Sequence, residues 1–390
     1  MTKRRPWPLQ SCESFLCALA LALLAFLVPS SVEAYPSFAR HVGRDCGYCH
    51  TAFPKLNDTG RTYLANGYRF EAEGEWKDVK DLQSIPVSFE VEVEGLYDNI
   101  KNGGDWSEAS DLKVEEAEVI SGGAFGRQGR VTALLSVAVE QANDGSFDTV
   151  IPKAFFQVND LFGPAGSGRL NLRAGIDEVG LPFFRPTSTP ISNAMFAETL
   201  IGAIGASERL IEVNGSFMSE GNRILSHRYR AGVVREPVES DNKLKGFYAS
   251  WAATVDEYLS FGAIFRAGEE SETGRDISYQ RYALAAEVET GPFILTAAYL
   301  RSKREGSVSD GDDFLLEALY FIKRFTLGAR YETADFEGSE AARSQTFMAR
   351  YDIMSNSFVQ FEYRHREDPD TVAGGGELED KARLIFTALF

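Results

Sequence analysis

The sequence is short of cysteine and histidine, with four of each in 390 residues. Four cysteines are too few for the dense disulfide framework of a small secreted scaffold. Positive charge is in deficit: 40 Lys and Arg stand against 57 Asp and Glu, a formal net charge of −17. Such a field repels polyanions and excludes a nucleic-acid binder. It suits a cation, or a partner with a basic patch. Beyond residue 34 no apolar run approaches the length of a bilayer-spanning helix. What the chain has in quantity is Phe (28), Tyr (15) and Gly (35). An acidic, aromatic-rich and glycine-rich chain without an apolar helix fits a barrel that crosses an outer membrane with strands.

The one long apolar run lies at the start. Lys3, Arg4 and Arg5 precede Phe15–Val28 (FLCALALALLAFLV), and Val32-Glu33-Ala34 offers a cleavage site. The run is too short to span a bilayer comfortably, so residues 1–34 read as a secretory signal peptide, with Tyr35 as the first mature residue. Cleavage removes Cys12 and Cys17 and leaves two cysteines, both in Cys46-Gly47-Tyr48-Cys49-His50.

That pentapeptide is the attachment motif of a c-type haem. Two thiols one helical turn apart can add to the two vinyl groups of haem, and the adjacent imidazole then lies under the iron. A structural zinc site would need further ligands, and no second CxxC or HxxxH follows. A thioredoxin-like dithiol belongs beside a βαβ pattern that the chain lacks. A Cys46–Cys49 disulfide would leave His50 without a role. The expected cofactor is one covalent haem c on Cys46 and Cys49, with His50 as proximal iron ligand. Phe53, Pro54, Leu56, Tyr63, Leu64 and Tyr68 supply apolar surface beside it, and Gly60 and Gly67 allow tight turns. The distal ligand stays open. No Met lies between Tyr35 and Ala194, and His41 is the one other local histidine. Met195, Met218 or His227 can reach in from the following domain, and an open sixth position is a further alternative.

From Pro86 the pattern changes to a period of two. Val87, Phe89, Val91, Val93 and Tyr97 are apolar, while Ser88, Glu90, Glu92 and Glu94 are polar. A strand with one face in lipid or core and one in water reads this way. Similar dyads run through Val131–Glu140, Leu170–Asp177, Phe247–Val255, Phe293–Tyr299, Phe325–Tyr331 and Val359–Arg364. Short turns are expected at Glu289-Thr290-Gly291-Pro292 and Met354-Ser355-Asn356. Long polar loops are expected at Asn99–Asp111, Gly268–Asp276, Ser302–Asp313 and Asp368–Glu379. Pro182–Gly202 is long enough to fold into a lumen or over its mouth. The end, Lys381–Phe390, alternates again and closes on an aromatic residue, like the last-strand sorting signal of bacterial outer-membrane barrels. The inward faces are expected to be acidic and mixed: Glu90, Glu92, Glu94, Glu140, Asp177, Glu287 and Glu362, with Arg173, Arg281 and Arg364 among them. Most of this is the polarity that any lumen needs; the rest is a negative potential that concentrates cations such as Fe²⁺.

The fold class is therefore mainly β. An outer-membrane barrel of about 16 antiparallel strands (residues 86–390) follows a small α-helical c-type cytochrome domain (residues 35–85). A 16-strand barrel is ~32 Å across its backbone, and a unit of the latter size is ~25 Å across. The small domain can plug the lumen.

Together these features resemble the fused monohaem cytochrome c–porin family of bacterial outer-membrane iron oxidases. The resemblance is carried by Pro36-Ser37-Phe38-Ala39-Arg40, Cys46 to His50, Thr51-Ala52-Phe53-Pro54-Lys55-Leu56, Gly60-Arg61 and Gly67-Tyr68; the barrel half matches in architecture. It implies an iron oxidase-type electron-transfer protein, an Fe(II):cytochrome c oxidoreductase in contact with outer-membrane lipid. Electrons would enter from extracellular Fe(II) and leave to a periplasmic c-type cytochrome. Two alternatives stand beside it: the same conduit with another donor or running outward to an extracellular acceptor, and a solute porin whose haem domain is a gate or redox sensor.

Overall fold

A lone strand leaves a row of backbone N–H and C=O groups unpaired, which neither a sheet edge nor lipid tolerates well. The dyad runs solve this by closing on themselves. The structure, a computed structural model, describes residues 38–39, 43–70, 87–102, 105–125, 127–142, 145–181, 183, 189–196, 207–219, 225–235, 244–272, 275–305, 310–337, 340–368 and 377–389. A short ribbon comes first, β1 (His50–Ala52) and β2 (Lys55–Leu56). The barrel strands are β3 (Val87–Asn102), β4 (Asp105–Phe125), β5 (Val131–Gln141), β6 (Phe147–Val158), β7 (Asn171–Glu178), β8 (Ser207–Ser219), β9 (Leu225–Val234), β10 (Gly246–Val255), β11 (Leu259–Glu272), β12 (Arg275–Thr290), β13 (Phe293–Arg304), β14 (Gly311–Ile322), β15 (Phe325–Phe336), β16 (Ala342–Met354), β17 (Ser357–Asp368) and β18 (Glu377–Leu389). Each pairs antiparallel with its neighbours in sequence, and β18 pairs with β3 to close the ring of 16.

Period two sets inside from outside. Along β13, Phe293, Leu295 and Tyr299 are exposed, while Ile294, Thr296, Ala298 and Leu300 are buried. The exposed apolar face recurs on β12 (Leu284), β16 (Phe347) and β17 (Phe361). Aromatic pairs stand at the short turns, Phe293 stacked on Tyr320 (4.3 Å) and Phe325 beside Tyr351 (4.8 Å), as in the girdles of membrane barrels. Among the described residues no helix is long and apolar enough to cross a membrane.

The inward face is ionic. Arg266 meets Glu208 at 2.5 Å, Arg330 meets Glu317 at 2.8 Å and Arg230 meets Glu212 at 2.8 Å. Of the charges expected inward, Glu94, Asp177, Glu287, Glu362, Arg173, Arg281 and Arg364 are buried. Glu90 and Glu92 are half-buried, and Glu140, near the end of β5, is exposed.

The short turns fall where expected, at Gly291-Pro292 and Ser355-Asn356. The long polar loops do not. Asn99–Asp111 and Gly268–Asp276 are mostly strand, because hairpin pairing continues past the apolar band, where neither face needs an apolar residue. Ser302–Asp313 and Asp368–Glu379 are likewise shortened by β13, β14 and β18. The signal peptide, His41 and the terminal Phe390 lie outside the described residues.

The N-terminal unit also departs from expectation. Within residues 43–70 there is one helix, α1 (Asp58–Ala65), of eight residues, and a 3-10 turn at Cys46–Tyr48. Pro54, which has no N–H, and the β1–β2 pairing occupy the stretch where a further helix would have to run. This unit is fixed to wall strands around the ring. Lys55 and Arg61 both pair with Glu287 on β12, at 2.6 and 2.7 Å, with both Lys55 and Glu287 buried. Asp58 pairs with Arg228 on β9. Arg69 pairs with Asp160 after β6, at 2.6 Å. Thr132 on β5 donates to the Gly67 carbonyl (2.7 Å). From the β7–β8 connection, the backbone N–H groups of Ser192 and Asn193 donate to Glu362 (2.7 and 3.2 Å), and that of Phe196 donates to Glu332 (2.8 Å). The described residues 189–196 of that connection fold inward, one of the two outcomes its length allows.

Replacing Glu287 by Ala leaves the buried Lys55 and the half-buried Arg61 without their shared carboxylate, at a cost of about 3–5 kcal/mol to docking of the segment. Amide hydrogen exchange in α1 should then accelerate while exchange in the barrel strands stays unchanged. Equal protection of α1 in the variant contradicts this.

Candidate functional site

The Cys46–Tyr48 turn begins at Asp45, whose carboxylate accepts from the Tyr48 N–H at 3.1 Å, an N-cap arrangement. Asn57 ties the turn to the helix. Its N–H donates to the Cys49 carbonyl (3.0 Å), its side-chain amide donates to the Tyr48 carbonyl (3.2 Å), and its Oδ1 accepts from Gly60 N–H at the start of α1 (2.9 Å). The approach is so close that a Cβ on Gly60 would stand 2.2 Å from the Cys49 carbonyl oxygen. Position 60 therefore has room for glycine alone.

His50 opens β1, and its Nδ1 lies 3.1 Å from the Pro54 carbonyl. A carbonyl only accepts, so Nδ1 carries the proton and Nε2 keeps its lone pair. Burial pushes the imidazole pKa down to about 4; the Pro54 carbonyl opposes this and the nearby Arg350 charge adds to it. The ring is thus neutral at neutral pH, the form that binds a metal. Cys46 and Cys49 are not joined in a disulfide, and burial first, then the Asp45 charge, raises the Cys46 thiol.

Cys46, Cys49 and His50 line one cavity of about 490 Å³, within the range of small-molecule and cofactor sites. The N-terminal segment supplies an aromatic side: Phe38 stacks on Tyr68 at 4.8 Å, and Tyr63 lies 4.7 Å from Phe70 and edge-on to Tyr68 at 5.9 Å. Phe53, Pro54, Leu56 and Leu64 line it as well, as the sequence suggested. The barrel supplies the rest. Leu134, Ile120 and Phe358 are apolar, while Glu90 and Glu92 of β3 and Glu116 and Glu118 of β4 face the same space, with Lys153. Thr189, Pro190 and Ser192 of the inward connection also line it.

The structure brings the two thiols and the imidazole together but not Met195, Met218 or His227. Met195 packs among Leu181, Leu210 and other buried apolar residues. Met218 is exposed. His227 stacks on Phe217 and Trp251, whose side chains are exposed. Met218 and His227 belong to other parts of the wall, because strand parity and register fix where each side chain emerges, and Met195, in the β7–β8 connection, turns into its own apolar cluster. Among the described residues, no group of three His, Cys, Asp or Glu could hold a metal ion unaided. Sequence reasoning missed Glu116 and Glu118, although Glu116-Ala117-Glu118 has the dyad of a lumen face, and it missed Arg350, for which there was no local signal.

No family model and no curated protein matches the chain. Its fold is similar to solved structures of outer-membrane porins. An anion-selective porin from Comamonas acidovorans is 14% identical, with a TM-score of 0.57 over 78% of this chain and 99% of that one. Salmonella typhi OmpF, in complex with daunomycin, is 15% identical, with a TM-score of 0.57 over 78% and 98%. Pseudomonas putida OprB is 10% identical, with a TM-score of 0.52 over 78% and 94%. At such identities the likeness is one of fold.

Substituting Gly60 by Ala forces α1 away from the Cys49 carbonyl, an overpacking cost of about 1–3 kcal/mol. Limited proteolysis within residues 43–70 should become at least about fivefold faster. Unchanged cleavage would show that the close approach does not exist.

Proposed function

We propose that this chain is an electron conduit of a bacterial outer membrane, with one haem c bound covalently through Cys46 and Cys49 and His50 as its proximal iron ligand. The observation that carries the reading is that two cysteines without a disulfide and a histidine with its Nε2 lone pair available line a single cavity of about 490 Å³ inside a closed barrel. When bound there, haem supplies a one-electron Fe(III)/Fe(II) couple. The apolar outer face meets lipid and the ionic inner face meets the N-terminal unit, which serves as the cytochrome domain.

The chain's own residues have distinct tasks. Cys46 and Cys49 form the two thioether bonds. Pro54 holds His50 in the tautomer that presents Nε2. The aromatic side formed by Tyr63, Tyr68 and Phe38 excludes water. Glu90, Glu92, Glu116 and Glu118 gather carboxyl oxygens on the barrel side, the ligand type that suits a hard cation. The overall reaction is oxidation of Fe²⁺ to Fe³⁺ outside and one-electron reduction of a periplasmic c-type cytochrome inside. The donor Fe(II) and the acceptor rest on the family resemblance; another donor or the outward direction uses the same site.

The fold likeness to porins supports a second reading, a solute porin whose haem-bearing segment is a gate or sensor. The two differ in measurable ways. Purified holoprotein should be reduced by Fe(II) within seconds, as followed in the visible spectrum, and the His50→Ala variant should not be. Single-channel conductance in planar bilayers should be far below that of an open porin. A haem left oxidised by Fe(II), together with a large conductance independent of haem state, would select the second reading.

A further inference from the structure

A buried arginine of the barrel wall touches the loop that orients His50. Arg350 on β16 is 3% exposed. Its Nε donates to Asp352 at 2.6 Å, its guanidinium lies 3.6 Å above the Phe358 ring, and one terminal N–H donates to the Phe53 carbonyl. The next residue along is Pro54, whose carbonyl accepts from His50 Nδ1. Phe358 in turn stands 6.4 Å from the Phe53 ring, and Phe53 stands 5.3 Å from the His50 ring. Arg350 therefore grips the Phe53-Pro54 peptide twice, by a hydrogen bond and through a stacked ring, from an element nearly 300 residues away in sequence. Asp352, its counter-ion, is partly exposed, so solvent screens the carboxylate more than the buried guanidinium.

We infer that Arg350 is a positioning residue for the proximal side of the haem site, fixing the acceptor of His50 and raising the reduction potential by its charge. This rests on the reading above that haem binds at Cys46, Cys49 and His50. The physical reason is general. A partner that orients the free N–H of an iron-ligating histidine controls how strongly the ligand donates. A positive charge buried nearby disfavours the more positive state of the iron. The barrel thus acts on the redox site as well as enclosing it.

The test is a spectroelectrochemical titration of full-length holoprotein in detergent, after a haem stain of the denatured protein. Arg350→Gln should bind haem covalently but lower the potential, so that at the wild-type midpoint the ratio of reduced to oxidised haem falls about tenfold, ~59 mV for a one-electron couple. Arg350→Lys should recover more than half of the shift. Asp352→Asn, which keeps the donor and removes its counter-ion, should move the potential the opposite way, upward. That opposition separates charge from a loosened loop, since loosening would move both in one direction. Haem-bearing Arg350→Gln at the wild-type potential overturns the inference and leaves the haem reading standing, as does an Asp352→Asn shift in the same direction as Arg350→Gln. Wild-type protein without covalent haem overturns both.

Discussion

The constraint on which the rest depends is that a lumen wall of buried charges must be neutralised from within. A closed strand ring with an apolar outside turns its polar residues inward, and at low exposure those residues need partners. Glu287 shows how the need is met. Its two oxygens take Lys55 and Arg61, both from the N-terminal segment. The same logic joins Asp58 to Arg228 and Arg69 to Asp160. Each pair crosses between segment and wall, so neither part is complete in electrostatic terms alone. The wall's demand for counter-charges places the segment, and the segment brings Cys46, Cys49 and His50 with it.

A shared site follows from this placement. The segment contributes thiols, imidazole and aromatic rings on one side of the cavity. The wall contributes carboxylates from β3 and β4 on the other, with part of the inward connection. His50 is oriented by Pro54 within its own loop, and that loop is gripped by Arg350 of β16. The N-terminal segment cut free of such a barrel would lose the anchoring of its His50 loop and the carboxyl groups facing the cavity. The fusion of the two parts in one chain is then a chemical requirement as much as a topological convenience.

Much of the fold was legible because the physics that makes it is local. Phe293-Ile294-Leu295-Thr296 shows its two faces in sequence, and Gly291-Pro292 marks the turn that reverses it. The grouping of Cys46, Cys49 and His50 on one cavity was legible because the three lie within five residues. What escaped was non-local or lacked an apolar face. Asn99–Asp111 read as a loop because both of its faces are polar, yet cross-strand pairing carries it as strand. Arg350 lies in a dyad run that resembles any other, and only the register of β16 in the closed ring sets it beside Phe53. Thiol spacing suggested an α-helical unit over residues 35–85, but spacing speaks to one turn; among its described residues the chain forms the β1–β2 ribbon and the eight-residue α1.

The central claim is that the wall-anchored segment carries a covalent cofactor on its two cysteines. The most direct measurement is peptide mass spectrometry on protein extracted from outer membranes of the native host. The claim predicts a peptide spanning Cys46 to His50 heavier by one haem, with neither thiol open to alkylation. A peptide of unmodified mass with both thiols alkylated would contradict it.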